Sequence, residues 1–460
     1  MPFHDAAEDS SSPALSRTRL LRFSAMAVPI YAAAQPVMAF VPAIFARHYG
    51  IPLATLGVLF LIGQAVNSLL DPVIGALSDR TVSRFGRRRP WIAGGGVLFI
   101  AGCAMLFFPP PGLVSVAWVS VAVLFYYSGA AATTTTLLAW SGEISGDYHE
   151  RTRIASLFTF LSASALVLTL LLPAVADQVR PDDGPLRLTL FGTLVLATGL
   201  PGLWLTLTAL PDRSAVPGEQ GRFDIRAMLR AVFANKLLLR VLASDTAVTA
   251  GQGVRTALLL FVVTIYFGKP EWAAGMFLFQ YSFGILAGPI WQRIGRTLGK
   301  SRAAVLAELV QAAINFGLVF LTPESFGLML TLALLQGLSQ GSGNLFLRSM
   351  VADIADHHRA ETGEDRVGLY YSVFSVSQKL GGAIAVGVAL PLVSAFGFDP
   401  RGVVNPPQAL QALILVFALG PALAHTLAAA LVAGFPLDSR AHAEVRRKLA
   451  YQAPQLVPAE

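Results

Sequence analysis

Two ionisable side chains, Asp71 and Lys379, lie inside long apolar segments of the chain. An ionisable group in hydrocarbon costs about 2.5 kcal/mol or more on insertion scales, so its presence indicates a function. Asp71 directly precedes Pro72, and its structural alternative is to cap a kinked helix. Lys379 stands well inside its segment, which makes snorkelling to the membrane surface difficult. A lysine buried there needs a negative partner or loses its proton.

A third ionisable group, Arg255, follows two glycines, Gly251 and Gly253. Glycines let a ligand approach the backbone closely, and arginine binds carboxylate, sulfate or phosphate groups through paired hydrogen bonds. The alternative is a buried ion pair with Asp245 or another buried acid, and the sequence leaves both open. Neutral polar side chains in the neighbouring segments bind substrate or join helices. They are Gln252, Gln280, Tyr281, Gln336, Gln340 and Asn344.

The composition indicates that a membrane surrounds most of the chain. Of the 460 residues, 54% are hydrophobic and 13% are charged, whereas a soluble protein carries about 25% charged residues. A soluble enzyme, a secreted disulfide scaffold and a disordered tail protein are therefore excluded, and the single cysteine, Cys103, permits no disulfide within the chain. The apolar segments are too long and continuous for a β-barrel. We predict an all-α integral membrane protein.

We predict twelve transmembrane helices, and basic residues set their orientation. The helices cover residues 22–46, 53–78, 91–109, 114–140, 153–176, 187–210, 238–267, 271–292, 302–322, 326–352, 367–396 and 407–435. With the N-terminus in the cytoplasm, 25 of the 34 lysines and arginines fall on the cytoplasmic side and five on the outer side, as the positive-inside rule requires. Both termini are thus predicted to be cytoplasmic, in the cell membrane, which is the inner membrane in a bacterium. The net charge of +7 then reflects orientation and not nucleic-acid binding.

The chain divides into two halves of six helices. A polar linker, 211–237, separates an N-terminal half, 22–210, from a C-terminal half, 238–436. The tails, 1–21 and 437–460, are predicted to be cytoplasmic, and the first 20 residues to be disordered. Both halves place a proline near the end of their second helix and then a turn rich in glycine and arginine. Two repeated halves favour a secondary transporter with its site at the midplane.

Four motifs carry a resemblance to a known family. They are DPVIGALSDRT at 71–81 with RFGRRRPWI at 84–92, Glu143 with DYHERTR at 147–153, DIAD at 353–356 with ETG at 361–363 and RVGLYYS at 366–372, and Lys379 with GGA at 381–383. In these motifs the chain resembles the glycoside–pentoside–hexuronide:cation symporters of the major facilitator superfamily, which include the melibiose permeases. The motifs lie in both halves and in the expected order.

The resemblance implies a cation-coupling site on the second and eleventh helices. Asp71 matches a cation-binding carboxylate, and Lys379 becomes its expected partner. Sugar-carrying members have a second carboxylate four residues earlier, where this chain has Asn67. One carboxylate favours a proton slightly over sodium, for which Asn67 and Ser68 remain as oxygen ligands, and an uncoupled carrier stays possible. No cofactor is expected besides the coupling ion, H⁺ or Na⁺.

The same resemblance implies where substrate binds and where the cytoplasmic gate lies. Positions that are charged in sugar-carrying members correspond here to Tyr31, Thr134 and Thr159, and Trp140 either stacks on a ligand or anchors an interface. With Gln252, Arg255, Gln336 and Gln340 they form the predicted substrate set. Predicted gating residues are charged and flank cytoplasmic loops in both halves. They are Asp79, Arg80, Arg84, Arg87, Asp353, Asp356 and Arg366. Residues of the C-terminal half are the expected partners of those in the N-terminal half and would lock the cytoplasmic side shut. A role in topology and in contact with anionic lipids is the alternative.

The function expected from these features is cation-coupled symport of a small organic solute. The family implies a sugar or glycoside, whereas the neutral and apolar pocket residues favour an amphipathic or anionic solute. A lysolipid or steroid carrier, or a membrane sensor or intramembrane enzyme on the same fold, is the alternative. No protein partner is indicated, and we expect a monomer. No spacing of histidines or cysteines predicts a metal site.

Overall fold

The computed structural model describes residues 16–144, 148–212, 230, 232–364, 366–401, 404–437 and 439–452. Within these ranges all regular secondary structure is helical. The helices of the N-terminal half are α1 (Arg17–Ser24), α2 (Ala27–Ala39), α3 (Val41–His48), α4 (Leu53–Arg80), α5 (Arg89–Phe107), α6 (Val116–Glu143), α7 (Tyr148–Val179) and α8 (Gly184–Ala209). Those that follow are α9 (Lys236–Phe261), α10 (Ala273–Leu298), α11 (Lys300–Gly317), α12 (Phe326–Ser339), α13 (Ser342–Thr362), α14 (Val367–Ala395), α15 (Pro407–Val432) and α16 (Ser439–Gln452).

Ten helices in the described part of the chain are long and apolar enough to cross a membrane, and the bent α1–α3 series raises the number to 11. The bend of 49° falls between Ala39 and Val41, where Pro36 and Pro42 remove backbone donors. The predicted tenth span is interrupted at Gly341, whose φ of +73° separates the 14 residues of α12 from the 21 residues of α13. Hydropathy alone does not detect such a break.

Both predicted tails contain helices. Ser16 caps α1 by accepting a hydrogen bond from the Arg19 amide at 3.4 Å, and Leu20 is buried. The prediction of disorder is therefore wrong for residues 17–20, because apolar burial holds them against the bundle. Residues 1–15 and 213–229, which include most of the predicted linker, lie outside the described residues.

The two halves meet mainly where α4 packs against α14 and α7 packs against α10, and α9 also contacts α2 and α3. Glycines allow α4 and α14 to approach closely. A Cβ atom on Gly57 would lie 2.7 Å from the ring of Pro391, and one on Gly387 would lie 2.7 Å from Leu61. Small residues permit this kind of backbone approach between membrane helices.

The helix bundle has two ends. The tail face holds residues 80–89, 210–212 and 439–452, and the far face holds residues 48–53, 108–115, 180–184, 396–401 and 404–406. Between these faces, the two halves meet at a junction that contains polar side chains.

Candidate functional site

The centre of the interface holds four polar side chains, Asn67, Asp71, Thr135 and Lys379, which we call the Asp71–Lys379 cluster. The Lys379 ammonium forms an ion pair with Asp71 Oδ2 and donates to Asn67 Oδ1 at 3.0 Å. The Thr135 hydroxyl donates to the other carboxylate oxygen, Asp71 Oδ1, at 2.8 Å. The side chains of Lys379 and Asp71 are 24% and 17% exposed, so both retain access to water. The ion pair ties the N-terminal half to the C-terminal half.

Helix geometry positions each member of the cluster. Asn67 and Asp71 are one turn apart on α4 and therefore share a face. On α14, Ser377 and Gln378 turn toward Asp245 of α9, so the next residue, Lys379, is rotated by about 100° toward α4. The Ser68 hydroxyl, expected as an ion ligand, instead donates to the Gln64 carbonyl at 3.0 Å.

The charges in the cluster balance. The Lys379 ammonium occupies the space between Asn67 and Asp71 in which a metal cation would need oxygen ligands. Sodium would have to displace this ammonium, whereas a proton needs only one carboxylate oxygen. Protonation of Asp71 would remove the negative partner of Lys379 and weaken the tie between the halves.

A cavity of about 230 Å³, lined by Asn67 and Lys379, adjoins the cluster, and a second cavity has a volume of about 790 Å³. Tyr31 and Ala34 line both, so the cavities are neighbours. The polar side chains of the smaller cavity are Tyr31, Gln64, Asn67, Tyr126, Tyr127, Thr134 and Lys379. The larger cavity combines polar and apolar side chains, namely Tyr31, Gln35, Leu138, Ser141, Ile154, Phe158, Thr159, Ser162, Leu166 and Arg348. The described lining therefore carries two cations, Lys379 and Arg348, and no carboxylate.

The predicted substrate residues divide between cavity and interior. Tyr31, Thr134 and Thr159 line the cavities. Trp140 is 2% exposed and packs edge-on against Phe23 with ring centroids 5.1 Å apart. Its position indicates a role in packing.

Two of the amide side chains predicted to bind substrate, Gln336 and Gln340, form hydrogen bonds with other glutamines of the C-terminal half. The Gln336 amide donates to Gln311 at 2.5 Å, and Gln340 accepts from Gln280 at 3.4 Å. Gln252 is partly buried on α9. These hydrogen bonds join helices, which is the commoner use of such residues in membrane proteins.

Arg255 is buried without a carboxylate partner among the described residues. One guanidinium nitrogen, Nη2, donates to Gln280 Oε1 at 3.0 Å, while Nε and Nη1 have no hydrogen-bond partner in the structure. The guanidinium lies over the Phe417 ring, 6.0 Å from its centroid. Asp245, the alternative partner considered from the sequence, bonds to Ser377 instead, because it lies almost three helical turns away on the same helix.

The tail-face charges pair within each half. In the N-terminal half, Arg88 contacts Asp79 and donates through Nε to Glu143 at 3.2 Å, and Arg87 pairs with Glu143 at 2.9 Å. In the C-terminal half, Lys300 pairs with Asp353 at 2.8 Å. The sequence had suggested partners across the halves, and in this conformation the described gating residues do not meet.

The remaining predicted gating residues have local contacts. Arg84 lies over the ring of Phe85 at 4.7 Å, and Arg366 pairs with Glu364 at 2.5 Å. Asp356 contacts His442 of α16 at 3.2 Å. Arg80 ends α4 and is exposed.

At the far face, polar contacts do cross between the halves. Arg187 pairs with Asp177 at 2.7 Å, and both are buried. The second carboxylate oxygen of Asp177 accepts from the amide of Ala274, in the first turn of α10, at 3.1 Å. Arg187 also donates to the Pro270 carbonyl at 3.2 Å. The Gln178 side-chain amide also donates to the Glu271 carbonyl of the other half, at 2.9 Å, so these contacts close the far face.

Sequence reasoning missed several residues of this arrangement. Thr135, Gln35 and Arg348 were not assigned, and neither was the far-face pair of Asp177 and Arg187. The available signals were the threonine run 133–136 and the presence of arginine or aspartate within or at the end of apolar segments. Nothing in the sequence distinguished which threonine faces Asp71.

The tail-face pairing gives a pH-dependent prediction. Burial of Glu143 opposes ionisation, but hydrogen bonds from Arg88 and Arg87 outweigh it and hold the pKa of Glu143 below its usual value. The resulting stabilisation is present above the unfolded-state pKa of about 4.3 and is lost as pH falls through the lower folded-state value. We expect Glu143→Gln to reduce stability by about 1–3 kcal/mol at neutral pH and to leave it nearly unchanged in strong acid.

Thermal unfolding of the wild type and of Glu143→Gln, measured from strong acid to neutral pH, tests this prediction. Glu271→Gln, which alters a partly exposed and weak pair with Lys269 at 3.9 Å, is the control. If Glu143→Gln lost equal stability at acid and neutral pH, the two arginines would not hold Glu143 ionised.

Comparison with known proteins agrees with the fold and the motifs. Residues 23–439 match the family described as MFS/sugar transport protein. An uncharacterized symporter of Synechocystis is 24% identical over 87% of this chain and 90% of its own length. The putative glycoside/cation symporter YagG of Escherichia coli is 23% identical over 88% of this chain and 89% of its own.

Solved structures extend the likeness to the whole bundle. A mutant of the nucleoside transporter NupG superposes with a TM-score of 0.69 at 12% identity, over 90% of this chain and 99% of its own. That similarity concerns the fold alone. Together with the apolar helices, the matches confirm the predicted all-α, twelve-helix membrane architecture, and they are matches to transporters. The chain therefore belongs to the MFS/sugar transport family, and it is a multi-pass membrane symporter of the major facilitator superfamily.

Proposed function

We propose that this protein is a proton-coupled symporter that carries an amphipathic glycoside with one anionic group. The observation that carries the coupling is the Asp71–Lys379 ion pair, which joins the two halves beside the cavities. Substrate and proton would therefore both act on the ion pair that joins the two halves. The neighbouring cavities, of about 230 Å³ and 790 Å³, form the binding region.

The coupling mechanism follows from the charges. While Asp71 is ionised, it holds Lys379 and Asn67 in one cluster between α4 and α14. A proton on Asp71 neutralises the carboxylate, so the ammonium loses its strongest partner and turns toward the cavity. Substrate that engages this free ammonium would favour the protonated state, and by linkage the proton would favour substrate binding.

In alternating access, the far face would then open and the tail face would close. The larger cavity extends to Ser141 and Ile154, near the Arg87–Glu143 ion pair of the tail face. The excess of basic residues in loops of that face supports its placement in the cytoplasm. We therefore infer that both termini are cytoplasmic and that the described conformation faces inward.

The substrate class rests on the cavity lining. Lys379 and Arg348 contribute positive charge, and a desolvated cation favours an anionic group. Leu138, Phe158 and Leu166 form an apolar wall that suits an aglycone or acyl group. The sugar part of the proposed substrate rests on the family match. Tyr31 and Thr159 supply neutral hydroxyls in place of the charged residues expected in sugar-carrying members.

Uptake into proteoliposomes tests this function. Purified protein is first screened by thermal shift against neutral glycosides, aryl hexuronides, aromatic acids and lysolipids, and the compounds that stabilise it are then offered under an inward proton gradient. We expect an aryl hexuronide to be accumulated about tenfold more than the matched neutral glycoside, because a lost charged hydrogen bond costs about 1.5–3 kcal/mol. Equal uptake of both would contradict the anionic substrate, and uptake that ignores every imposed gradient would contradict coupling.

A further inference from the structure

A second group of buried ionisable side chains lies within the C-terminal half, and it belongs to neither cavity lining. Asp245 of α9, Glu308 of α11 and His425 of α15 are 0%, 1% and 1% exposed, respectively. We call these three residues the C-half acid cluster. Helix α15 packs against both α9 and α11, and none of the cluster residues takes part in the transport mechanism described above.

Glu308 and His425 form a close pair. His425 Nδ1 lies 2.6 Å from Glu308 Oε2, while Glu308 Oε1 and His425 Nε2 are buried without hydrogen-bond partners. Glycines adjoin both orphan atoms. A Cβ on Gly343 of α13 would lie 1.8 Å from Glu308 Oε1, and one on Gly251 of α9 would lie 3.4 Å from His425 Nε2.

Within the described part of the chain, Asp245 accepts hydrogen bonds from neutral donors only. The Ser377 hydroxyl donates to Asp245 Oδ2 at 2.7 Å, and the Gln378 side-chain amide lies 3.5 Å from Asp245 Oδ1. Neither donor carries a positive charge, and the Asp245 side chain is fully buried. Because an ionised carboxylate buried without a cation is strongly unfavourable, this environment favours a proton on Asp245.

The charge of the cluster leads to the same assignment. Two ionised carboxylates beside one imidazolium would leave a net charge of −1 in the protein interior, and a neutral imidazole would leave −2. The described residues provide no lysine or arginine that pairs with these acids, and the nearest cation on α14, Lys379, is paired with Asp71. The Glu308 carboxylate also acts electrostatically on Asp245. Since an uncompensated buried charge is strongly unfavourable, a protonated Asp245 beside a Glu308–His425 ion pair gives a neutral cluster.

We propose that the C-half acid cluster is a second proton-binding site of this protein, with the proton held by Asp245. Its ligand is the proton itself. Asp245 bonds to Ser377 and, at 3.5 Å, to Gln378, the two residues that precede Lys379. The second site therefore contacts the same helical turn as the Asp71–Lys379 cluster, although its occupancy does not depend on which substrate the cavities bind.

Infrared spectroscopy of the full-length protein in lipid nanodiscs tests this directly. A protonated carboxylic acid has a C=O stretch that carboxylates lack, and the probe is the proton, titrated from acid to alkaline pH. We expect a protonated-carboxyl band that persists at neutral pH and disappears in alkali. We expect Asp245→Asn to lack that band, and Glu308→Gln and the exposed control Asp399→Asn to retain it.

Stability measurements provide the second readout. Because the folded state holds a proton that the unfolded state releases, stability falls as pH rises above about 4. One such proton changes the folding equilibrium by about tenfold per pH unit. In Asp245→Asn, the dependence of stability on pH should therefore be weaker by the contribution of one proton.

Three results would overturn the proposal. The first is a wild-type spectrum without a protonated-carboxyl band at neutral pH, which is decisive even if the variants do not fold. The second is an Asp245→Asn spectrum identical to that of the wild type. The third is loss of the band in Glu308→Gln alone, which would place the proton on Glu308.

Discussion

Replacing Asp71 with asparagine is expected to abolish concentrative uptake while substrate exchange across the membrane continues. A gradient of about one pH unit stores about 1.4 kcal/mol per proton and supports about tenfold accumulation at one proton per substrate. The amide that replaces the carboxylate cannot take up this proton, so accumulation should fall to the equilibrium level. The measurement compares uptake driven by a pH gradient with exchange at equal pH in the same proteoliposomes.

The partner residue supplies the control. Lys379→Ala leaves Asp71 as an uncompensated charge among buried groups, which is strongly destabilising. Combining Lys379→Ala with Asp71→Asn removes both charges, so the double variant should recover thermal stability without recovering accumulation. If Asp71→Asn still accumulates substrate to the wild-type level, Asp71 is not the coupling residue.

Both residues of the central ion pair were predictable, because charged side chains are rare inside membrane-spanning segments. Asp71 and Lys379 are charged residues inside apolar segments, and such residues are retained for function. Their pairing required the family resemblance, since 308 positions of sequence separate them. The structure adds the Thr135 hydroxyl at 2.8 Å, which the sequence could not separate from the adjacent threonines.

Other features depend on conformation, and sequence patterns do not record conformation. Asp79 and Arg87 were predicted to seal the tail face against the other half, but they pair with partners in their own half while the far face is closed. The far-face lock of Asp177 and Arg187 lies at helix ends, where charges resemble ordinary loop residues. The break at Gly341 depends on the backbone conformation of that residue. Hydropathy does not record it, so the sequence predicted one helix where the structure has two.

Asparagine at position 67 makes the choice of coupling ion testable. In the wild type, one carboxylate and one ammonium give the Asp71–Lys379 cluster no net charge, and the ammonium lies 3.0 Å from Asn67 Oδ1. Uptake should therefore respond to a proton gradient and ignore sodium. Asn67→Asp adds a second carboxylate, so the cluster gains a net charge of −1 and a further pair of oxygens of the kind that a hard cation prefers.

Asn67→Asp should consequently acquire sodium dependence. We expect a tenfold sodium gradient, which stores about 1.4 kcal/mol, to drive accumulation in Asn67→Asp and not in the wild type. Ser141→Asp is the matched control, because it adds a carboxylate to the larger cavity on α6, apart from the ion pair. If negative charge in the cavity sufficed, both variants would respond to sodium, whereas a coordination site requires the response in Asn67→Asp alone. Wild-type uptake that follows sodium at constant pH would reverse the argument: Asp71 and Asn67 would then bind sodium without a second carboxylate, and Lys379 would have to leave the cluster in every cycle.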